Sequence, residues 1–193
     1  MSTLDEEDRR EYYRIEDTIA LEIQPLTGAQ ATGEEVLQDA SPLFNLLSEL
    51  HLSEFESQHL LRQISERDRN TAAYLKVLNK RIDLLGQVVA LTVLGQIGEP
   101  QPVIISEGGI DFQHPTPLTT GSHLAIKLVL MPQALGLLLR ARVTHCDAKG
   151  AGFDVGTEFI QPSDAQRQLL ARYILQRQAQ ERRLAREQSE SGI

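Results

Sequence analysis

The segment Ile105–Phe112, which reads Ile-Ser-Glu-Gly-Gly-Ile-Asp-Phe, is the clearest guide to the architecture of this 193-residue chain. It places apolar residues on both sides of a Ser-Glu-Gly-Gly turn, as two short strands joined by a turn do. Apolar and polar residues also alternate in three later segments, His123–Met131, Leu137–Cys146 and Phe153–Phe159. Several short strands at close spacing, separated by turn residues, are typical of an all-β barrel or sandwich.

One earlier strand and one later helix flank these segments. Ile15 to Leu26 mostly alternates, with Asp17 as a charged exception on the apolar face, so a half-buried strand is predicted there. The Gly-rich stretch from Thr27 to Gly33 predicts a loop. Ser163-Asp164 starts a helix that we expect to reach about Gln188. The predicted apolar face of that helix comprises Leu169, Leu170, Tyr173 and Leu175.

The middle of the chain is predicted to be helical. Ser41-Pro42 marks a helix start, because Ser caps an N-terminus and Pro at the first helical position loses no needed N–H. Ser53-Glu54-Phe55-Glu56 has the capping-box pattern and predicts that a second, longer helix begins there. No proline and only one glycine occur between Gln58 and Leu94, so we expect the second helix to continue to about Leu94.

A seven-residue apolar pattern runs along this second helix. Its two seam positions are occupied by Leu61, Asp68, Leu75, Ile82 and Val89, and by Ile64, Thr71, Leu78, Leu85 and Thr92. Such spacing is typical of a coiled coil, although the same stripe can also pack on its own domain. A helix of about 40 residues would extend about 60 Å, beyond the span of a small barrel. We therefore expect residues 58–94 to form a homo-oligomer, either a dimer or a tetramer.

Composition argues against several classes of function. The formal net charge of −8 and the pI of about 5.1 disfavour binding to nucleic acid or to an anionic membrane. A single cysteine, Cys146, and the lack of an apolar run long enough to span a bilayer fit a cytoplasmic protein. No histidines have zinc-site spacing, and neither a phosphate-binding loop nor a nucleophile elbow occurs. We therefore predict no catalytic residue, no metal site, no cofactor and no transmembrane segment.

Two groups of residues have the chemistry to bind a small anion. Three arginines precede the first strand, and guanidinium groups bind phosphates in bidentate fashion and stack on purine faces. The serine of the Ser-Glu-Gly-Gly turn can hydrogen-bond a phosphate or a base edge, and its glycines permit positive φ and an N–H nest for anions. Each motif has an ordinary alternative: acidic residues 5–8 could pair with the arginines, and the turn could be only a turn. The candidate ligand-binding residues are Arg9, Arg10, Arg14, Ser106, Gly108 and Gly109.

Taken together, the two groups resemble the PilZ domain family. In that family Arg-x-x-x-Arg precedes the first strand, and Asp/Asn-x-Ser-x-x-Gly occurs at the second. Arg10 and Arg14 match the first motif, and Ser106 and Gly109 match the second. Val155–Phe159 and the helix after it are similar to the family's last strand and closing helix. The resemblance covers residues 9–27 and about 100–175.

The resemblance implies an α+β protein with a mainly β core. Its PilZ-like antiparallel β-barrel would be interrupted after the first strand by long coiled-coil-type helices and followed by a C-terminal helix. It also implies a receptor for cyclic di-GMP, in which Arg10 and Arg14 clamp phosphates and stack on guanines. Residues before Ile15 would fold over the dinucleotide and relay the signal to an unknown downstream protein. The expected parts are residues 1–27 and 96–162 for the barrel, 41–94 for the helical insertion, and 163–193 for the C-terminal helix and tail.

The main chemical departure from the family pattern is Ile104, which occupies the Asp/Asn position. In the family that side chain helps to hold a guanine edge, so Ile104 implies weaker binding, altered contacts or none. Asp111 lies five residues beyond Ser106, and the sequence alone does not assign it the missing role. A ligand-independent oligomeric scaffold is therefore the alternative, since the helical insertion resembles an atypical, tetramer-forming PilZ subgroup. A barrel of unrelated origin, with Arg10 and Arg14 far from Ser106, is a third possibility.

Overall fold

A computed structural model describes residues 13–33, 35 and 37–190 of the chain. This part of the chain contains six strands and four helices. The strands are β1 (Ile15–Leu26), β2 (Gln101–Ile105), β3 (Gly109–His114), β4 (His123–Leu130), β5 (Leu135–Lys149) and β6 (Gly152–Phe159). The helices are α1 (Gly28–Thr32), α2 (Pro42–Arg67), α3 (Arg69–Ile97) and α4 (Asp164–Glu190).

The strands form a closed barrel in the order β1-β2-β3-β6-β5-β4. Strand β1 pairs with β4, β3 pairs with β2 and β6, and β5 pairs with β6, all in antiparallel register. The helices α1, α2 and α3 follow β1, and α4 follows the last strand. The predicted fold class is thus confirmed: an antiparallel barrel is interrupted after its first strand by long helices and ends in a C-terminal helix. None of the four helices in the described part of the chain is long and apolar enough to cross a membrane.

The described chain divides into two compact units. The first comprises the described residues of Met1–Thr18 together with Pro102–Ser122 and Ala141–Ile193. The second comprises Ile19–Gln101 and His123–Arg140. The first unit contains the candidate ligand-binding turn, and the second contains the helical insertion.

The second unit has an apolar core built from helix and strand residues. Its buried members include Ala20, Phe44, Leu47, Ala90, Val93, Ile97, Val129 and Ala134. A charged side chain, Lys127 on β4, is buried as well. Its ammonium lies 2.9 Å from an oxygen of Asp39 and 3.3 Å from an oxygen of Glu22. The two carboxylates compensate the charge, as a buried ammonium requires.

The boundary between the two long helices differs from the prediction. Ser41 caps α2 as expected, accepting a hydrogen bond from the Phe44 amide. However, α2 continues through Ser53, so the predicted helix start there is wrong. The break falls at Asp68, whose carboxylate accepts from the amides of Asn70 and Thr71 and caps α3. A further hydrogen bond from the Thr71 hydroxyl lowers the pKa of Asp68.

Helices α2 and α3 lie antiparallel, as a hairpin. Ser41 near the start of α2 hydrogen-bonds to Gln96 near the end of α3. Further along the hairpin, Gly86 leaves little room opposite Leu50, because a Cβ at Gly86 would come within 3.0 Å of the leucine Cδ2. The predicted single helix of about 40 residues is therefore replaced by a pair of 26 and 29 residues.

The predicted apolar seam is only partly exposed on α3. Of its residues on this helix, Leu75, Leu78 and Val89 are partly buried, while Thr71, Ile82, Leu85 and Thr92 are exposed. A second set of apolar side chains on α3 is at least half exposed and follows spacings of three, seven, four and three residues. This set comprises Tyr74, Val77, Leu84, Val88 and Leu91, and we call it the α3 seam.

In the first unit, α4 is tied to the start of β1 by a buried charge. The Asp17 carboxylate accepts hydrogen bonds from the Tyr173 hydroxyl and, at 2.8 Å, from Nε of Arg177. Burial raises the pKa of Tyr173, and the hydrogen bond to Asp17 raises that of Arg177. These contacts explain the charged exception on the apolar face of β1. The expected role of Leu175 is wrong, because it is exposed while Ile174 is buried.

Candidate functional site

The turn between β2 and β3 is organised by Ser106. The Ser106 amide donates to the Gly109 carbonyl at 2.9 Å, and its hydroxyl donates to the same oxygen at 3.3 Å. The hydroxyl also accepts from the Gly108 amide at 3.3 Å. The Gly108 carbonyl in turn accepts from the Phe159 amide on β6 at 2.8 Å. The turn is therefore closed internally and held against the neighbouring strand.

The glycines of this turn do not have the predicted backbone conformation, and Gly109 meets a steric requirement instead. Neither Gly108 nor Gly109 adopts a positive φ. A Cβ at Gly109 would lie 2.0 Å from the carbonyl oxygen of Thr157 on β6. Glycine is required at Gly109 because the two backbones approach too closely for any side chain.

Beside this turn lies an open cavity of about 710 Å³, formed within the first unit. Arg14, Ser106, Gly108 and Gly109 all line it. Its other charged, polar and apolar lining includes Ile104, Glu107, Asp111, Arg142, His145 and Arg167. Cavities of about 300–1,000 Å³ are typical of small-molecule sites. The fold thus brings Arg14 and Ser106 to one cavity, although they are 92 residues apart in the chain.

Arg14 precedes β1 by one residue and extends its side chain towards β3. Its guanidinium lies 3.8 Å from a carboxylate oxygen of Asp111. The arginine side chain is 56% exposed and the aspartate side chain 28% exposed. An ion pair of this length and exposure contributes little to stability. The guanidinium can therefore exchange this partner for a phosphate.

Cross-strand pairs place four residues in one row on the cavity side of the sheet. Ile104 on β2 is opposite Asp111 on β3, and Asp111 is opposite Gly156 on β6. Gly156 is in turn opposite His145 on β5. Residues that face each other across antiparallel strands project from the same side of the sheet. The row therefore presents an isoleucine, a carboxylate and an imidazole to one surface.

His145 reaches this surface because of a β-bulge in β5. The register with β6 shifts between Val143 and His145, so that Thr144 is an extra residue. Val143 is buried in the core, and strict alternation would direct His145 to the same side. The bulge reverses the alternation and re-aims the imidazole outwards. Its ring covers Gly156, where a Cβ would come within 2.0 Å of the imidazole Cε1.

A second row of cross-strand pairs contains two more charged groups of the cavity, Glu158 and Arg142. Gly109 is opposite Glu158, and Glu158 is opposite Arg142. The Arg142 guanidinium donates to the Glu158 carboxylate at 2.8 Å. Three arginines and three carboxylates line the described part of the cavity, so their formal charges balance.

The structure places the predicted site residues as follows. Arg14, Ser106, Gly108 and Gly109 line one cavity, which contradicts the alternative of a barrel with Arg14 remote from Ser106. Arg9 and Arg10 lie outside the described residues. That these residues bind a ligand stays a prediction.

Sequence reasoning missed several residues that line the same cavity. Asp111 could have been found only from the register of the turn, and His145 only from the bulge. Arg142 and Glu158 carry a weaker signal, because both stand on the polar side of alternating strands. The missed residues that contribute ionisable groups are Glu107, Asp111, Arg142, His145, Glu158 and Arg167.

The fold and the cavity together define a small barrel with an open cavity at its surface. A family model described as the PilZ domain matches residues 78–176, a little over half of the chain. The chain therefore belongs to the PilZ domain family. The matched range begins within α3 and does not include β1 or the arginine segment. No curated protein matches the chain.

Solved structures with a similar fold include three bacterial proteins. The first is a pathogenic protein from Xanthomonas campestris, described as a tetrameric PilZ domain self-assembled through a helical bundle. It is 13% identical, has a TM-score of 0.56, and the alignment covers 89% of this chain and 91% of that one. The others score lower. One is the Bacillus subtilis inhibitor of motility MotI/DgrA, which is 15% identical with a TM-score of 0.44, and the alignment covers 89% of this chain and 52% of that one. The other is Escherichia coli YcgR in complex with c-di-GMP, which is 17% identical with a TM-score of 0.39, and the alignment covers 47% of this chain and 41% of that one.

Proposed function

We propose that this protein is a receptor for cyclic di-GMP. The observation that carries the proposal is that Arg14 and the Ser106–Gly109 turn line one cavity of about 710 Å³. Membership of the PilZ family supports this choice of ligand. We also propose that the protein is cytoplasmic, that it is not an enzyme and that it needs no cofactor.

The arginines before β1 bind the two phosphates of the ligand. Charges along the described part of the cavity balance, so its lining alone provides little net attraction for a dianion. Arg9 and Arg10 are the residues that would supply the missing positive charge. Together with Arg14 they clamp phosphate oxygens and stack on guanine faces.

The barrel side of the site contributes hydrogen bonds and a flat surface. The single hydroxyl proton of Ser106 is directed at Gly109, so this oxygen serves the ligand as an acceptor through its remaining lone pair. Gly108 and Gly109 allow the ligand to approach the backbone. The exposed imidazole of His145 provides a face on which a guanine can stack.

Ligand binding acts by exchanging partners at Arg14. Without ligand, its guanidinium is paired with Asp111. A phosphate takes over the guanidinium, and the segment before Ile15 folds over the dinucleotide. A ligand shifts such an equilibrium only by its different affinity for the two states. The closed segment then offers a changed surface to a downstream protein.

The α3 seam assembles the protein into a homo-oligomer, a dimer or a tetramer, within residues 58–94. Its five apolar side chains are each at least half exposed and follow a heptad-like spacing. An exposed apolar stripe of this kind is typical of an interaction surface. The Xanthomonas campestris protein, which assembles through a helical bundle, supports a second copy of the chain as the occupant.

Calorimetric titration of cyclic di-GMP into the full-length protein tests the receptor proposal. We expect saturable binding that weakens about ten- to hundredfold in Arg14→Ala, because one charge-assisted contact is lost. Arg183→Ala is the matched control, since Arg183 is an exposed arginine on α4 that does not line the cavity. Its binding should equal that of the wild type. Equal affinities for the wild type and Arg14→Ala would contradict the proposal.

A ligand-independent scaffold is the second candidate function. Ile104 favours it, because this apolar side chain is 39% exposed on the cavity surface, where a polar group would serve a nucleotide better. The same titration separates the two functions. A wild-type protein that assembles normally but gives no heat and no thermal shift at saturating ligand supports the scaffold.

A further inference from the structure

The pairing of Ile104 with Asp111 bears on how the site recognises a base. The two residues are direct cross-strand neighbours in the β2–β3 ladder, and both line the cavity. Side chains at such positions have Cβ atoms about 5 Å apart on the same face of the sheet. A carboxylate therefore stands one strand away from the apolar position 104, facing the same space.

We infer that Asp111 is the specificity-determining residue for guanine in this site. The inference rests on the proposed function and deepens it. The Watson–Crick edge of guanine carries two adjacent donors, the N1–H and the 2-amino group. An ionised carboxylate is an acceptor-only group with two oxygens, so it matches both donors at once. Adenine has an unprotonated N1 and no 2-amino group, so its N1 lone pair is repelled by the same carboxylate and only its 6-amino group can donate to it.

The other two carboxylates of the cavity fit this role less well. Glu158 is hydrogen-bonded to Arg142 at 2.8 Å and half exposed. Glu107 belongs to the turn itself, next to the hydroxyl that organises it. Asp111 is more enclosed, at 28% side-chain exposure, and stands in the middle of the sheet surface between Ile104 and Gly156.

The ion pair with Arg14 makes base recognition and phosphate binding cooperative. Before binding, the guanidinium lies 3.8 Å from the Asp111 carboxylate. When a phosphate binds the guanidinium, the carboxylate exchanges this ion pair for hydrogen bonds from the guanine N–H groups. Because Asp111 bears the same sign as the phosphates, it can serve only the base edge, which fixes the orientation of the ligand.

The test compares cyclic di-GMP with cyclic di-AMP in Asp111→Asn. Asparagine has nearly the same shape but presents one acceptor and one donor group. We expect affinity for cyclic di-GMP to fall about tenfold or more, and the preference over cyclic di-AMP to fall with it. Asp154→Asn is the matched control, because Asp154 is an ion-paired aspartate on β6 outside the cavity. It should leave both values unchanged.

If a single substitution disturbs the fold, exchanging Ile104 and Asp111 with each other still tests the inference. Ile104→Asp alone sets two carboxylates opposite each other and should not improve binding. Ile104→Asp combined with Asp111→Ile restores one carboxylate on the other strand and should recover binding relative to Asp111→Ile. Thermal melting verifies that each variant is folded.

Three results would overturn the inference, and they can be told apart. If Asp111→Asn binds cyclic di-GMP as the wild type does, Asp111 has no role. If it weakens both dinucleotides equally, Asp111 acts only through Arg14 and does not read the base. If the wild type binds neither dinucleotide, the proposed function fails and this inference with it.

Discussion

The imidazole of His145 lies directly over the Cα of Gly156, so closely that a Cβ on Gly156 would come within 2.0 Å of the imidazole Cε1. The pair is formed because a bulge in β5 turns His145 to the cavity side of the sheet. Gly156 therefore supports the position of a side chain on a neighbouring strand.

Gly156→Ala should weaken ligand binding without unfolding the barrel. The new methyl group displaces the imidazole from the sheet surface and removes the face on which a guanine stacks. Base–aromatic stacking contributes about 1–3 kcal/mol, so we expect roughly a five- to hundredfold loss of cyclic di-GMP affinity. Titration calorimetry measures this loss, and circular dichroism verifies the fold.

His145→Ala and the double variant show whether the two residues act as one. The effects should be non-additive, because each substitution removes the same stacking surface. Full affinity in His145→Ala would refute the role of the imidazole, and additive losses would indicate that Gly156 acts by another route.

Asp17→Ala should destabilise the first unit. Asp17 has a side-chain exposure of 5% and binds both Tyr173 and Arg177. Removing the carboxylate leaves a buried hydroxyl and a partly buried guanidinium without their acceptor, so we expect a loss of about 3 kcal/mol in unfolding free energy. Urea unfolding measures it. Asp164→Ala, which removes an exposed i,i+3 ion pair and a carboxylate from the first turn of α4, is the control and should lose about 1 kcal/mol or less. Equal losses in the two variants would contradict the assignment.

The stability of the protein should fall at alkaline pH partly because of Tyr173. Burial raises its pKa above the usual value of about 10. Above about pH 10 the unfolded tyrosine ionises while the folded one retains its proton, so the native state binds more protons and loses stability as pH rises. The contribution is at most about 1.4 kcal/mol per pH unit. Tyr173→Phe should therefore lose stability less steeply than the wild type in urea titrations above about pH 10. Parallel curves would contradict the prediction.

Leu84→Glu combined with Val88→Glu should reduce the oligomer to a smaller species. Both residues belong to the α3 seam and are more than half exposed. Two carboxylates per chain in an apolar interface oppose assembly because they must be desolvated. Light scattering after size exclusion measures the mass relative to the 21.6 kDa chain.

Leu184→Glu is the matched control for assembly, since Leu184 is an exposed leucine on α4. Its mass should equal that of the wild type. A monomeric wild-type protein, or seam variants with unchanged mass, would exclude the α3 seam as the interface.

Much of the barrel could be predicted because its signals are local. β1 coincides with the alternating segment Ile15–Leu26, and the C-terminal helix begins where Ser163-Asp164 indicates. The helix boundary was missed because the capping-box pattern at Ser53 is also local. The continuous α2 packs along α3 instead, as at Leu50 beside Gly86, and a local pattern does not contain such a contact.

The candidate site was predictable only in part. Each of the two motifs is a short continuous stretch of sequence, so Arg14 and Ser106 could be named from the sequence alone. Outside the cavity, the charge of Asp17 on the apolar face of β1 could not be explained from the sequence, because its partner Tyr173 lies 156 residues later. Asp111 and His145 depend on strand register and on a bulge, and both arise from pairing with other strands.

The central claim is that the cavity beside the Ser106–Gly109 turn binds cyclic di-GMP. The most direct test is an NMR titration of the isotope-labelled full-length protein, followed through its backbone amides. We predict saturable shifts in Ser106–Asp111 and around His145, with much smaller shifts in α2 and α3. No shifts at saturating ligand, or shifts confined to the helical hairpin, would contradict the claim.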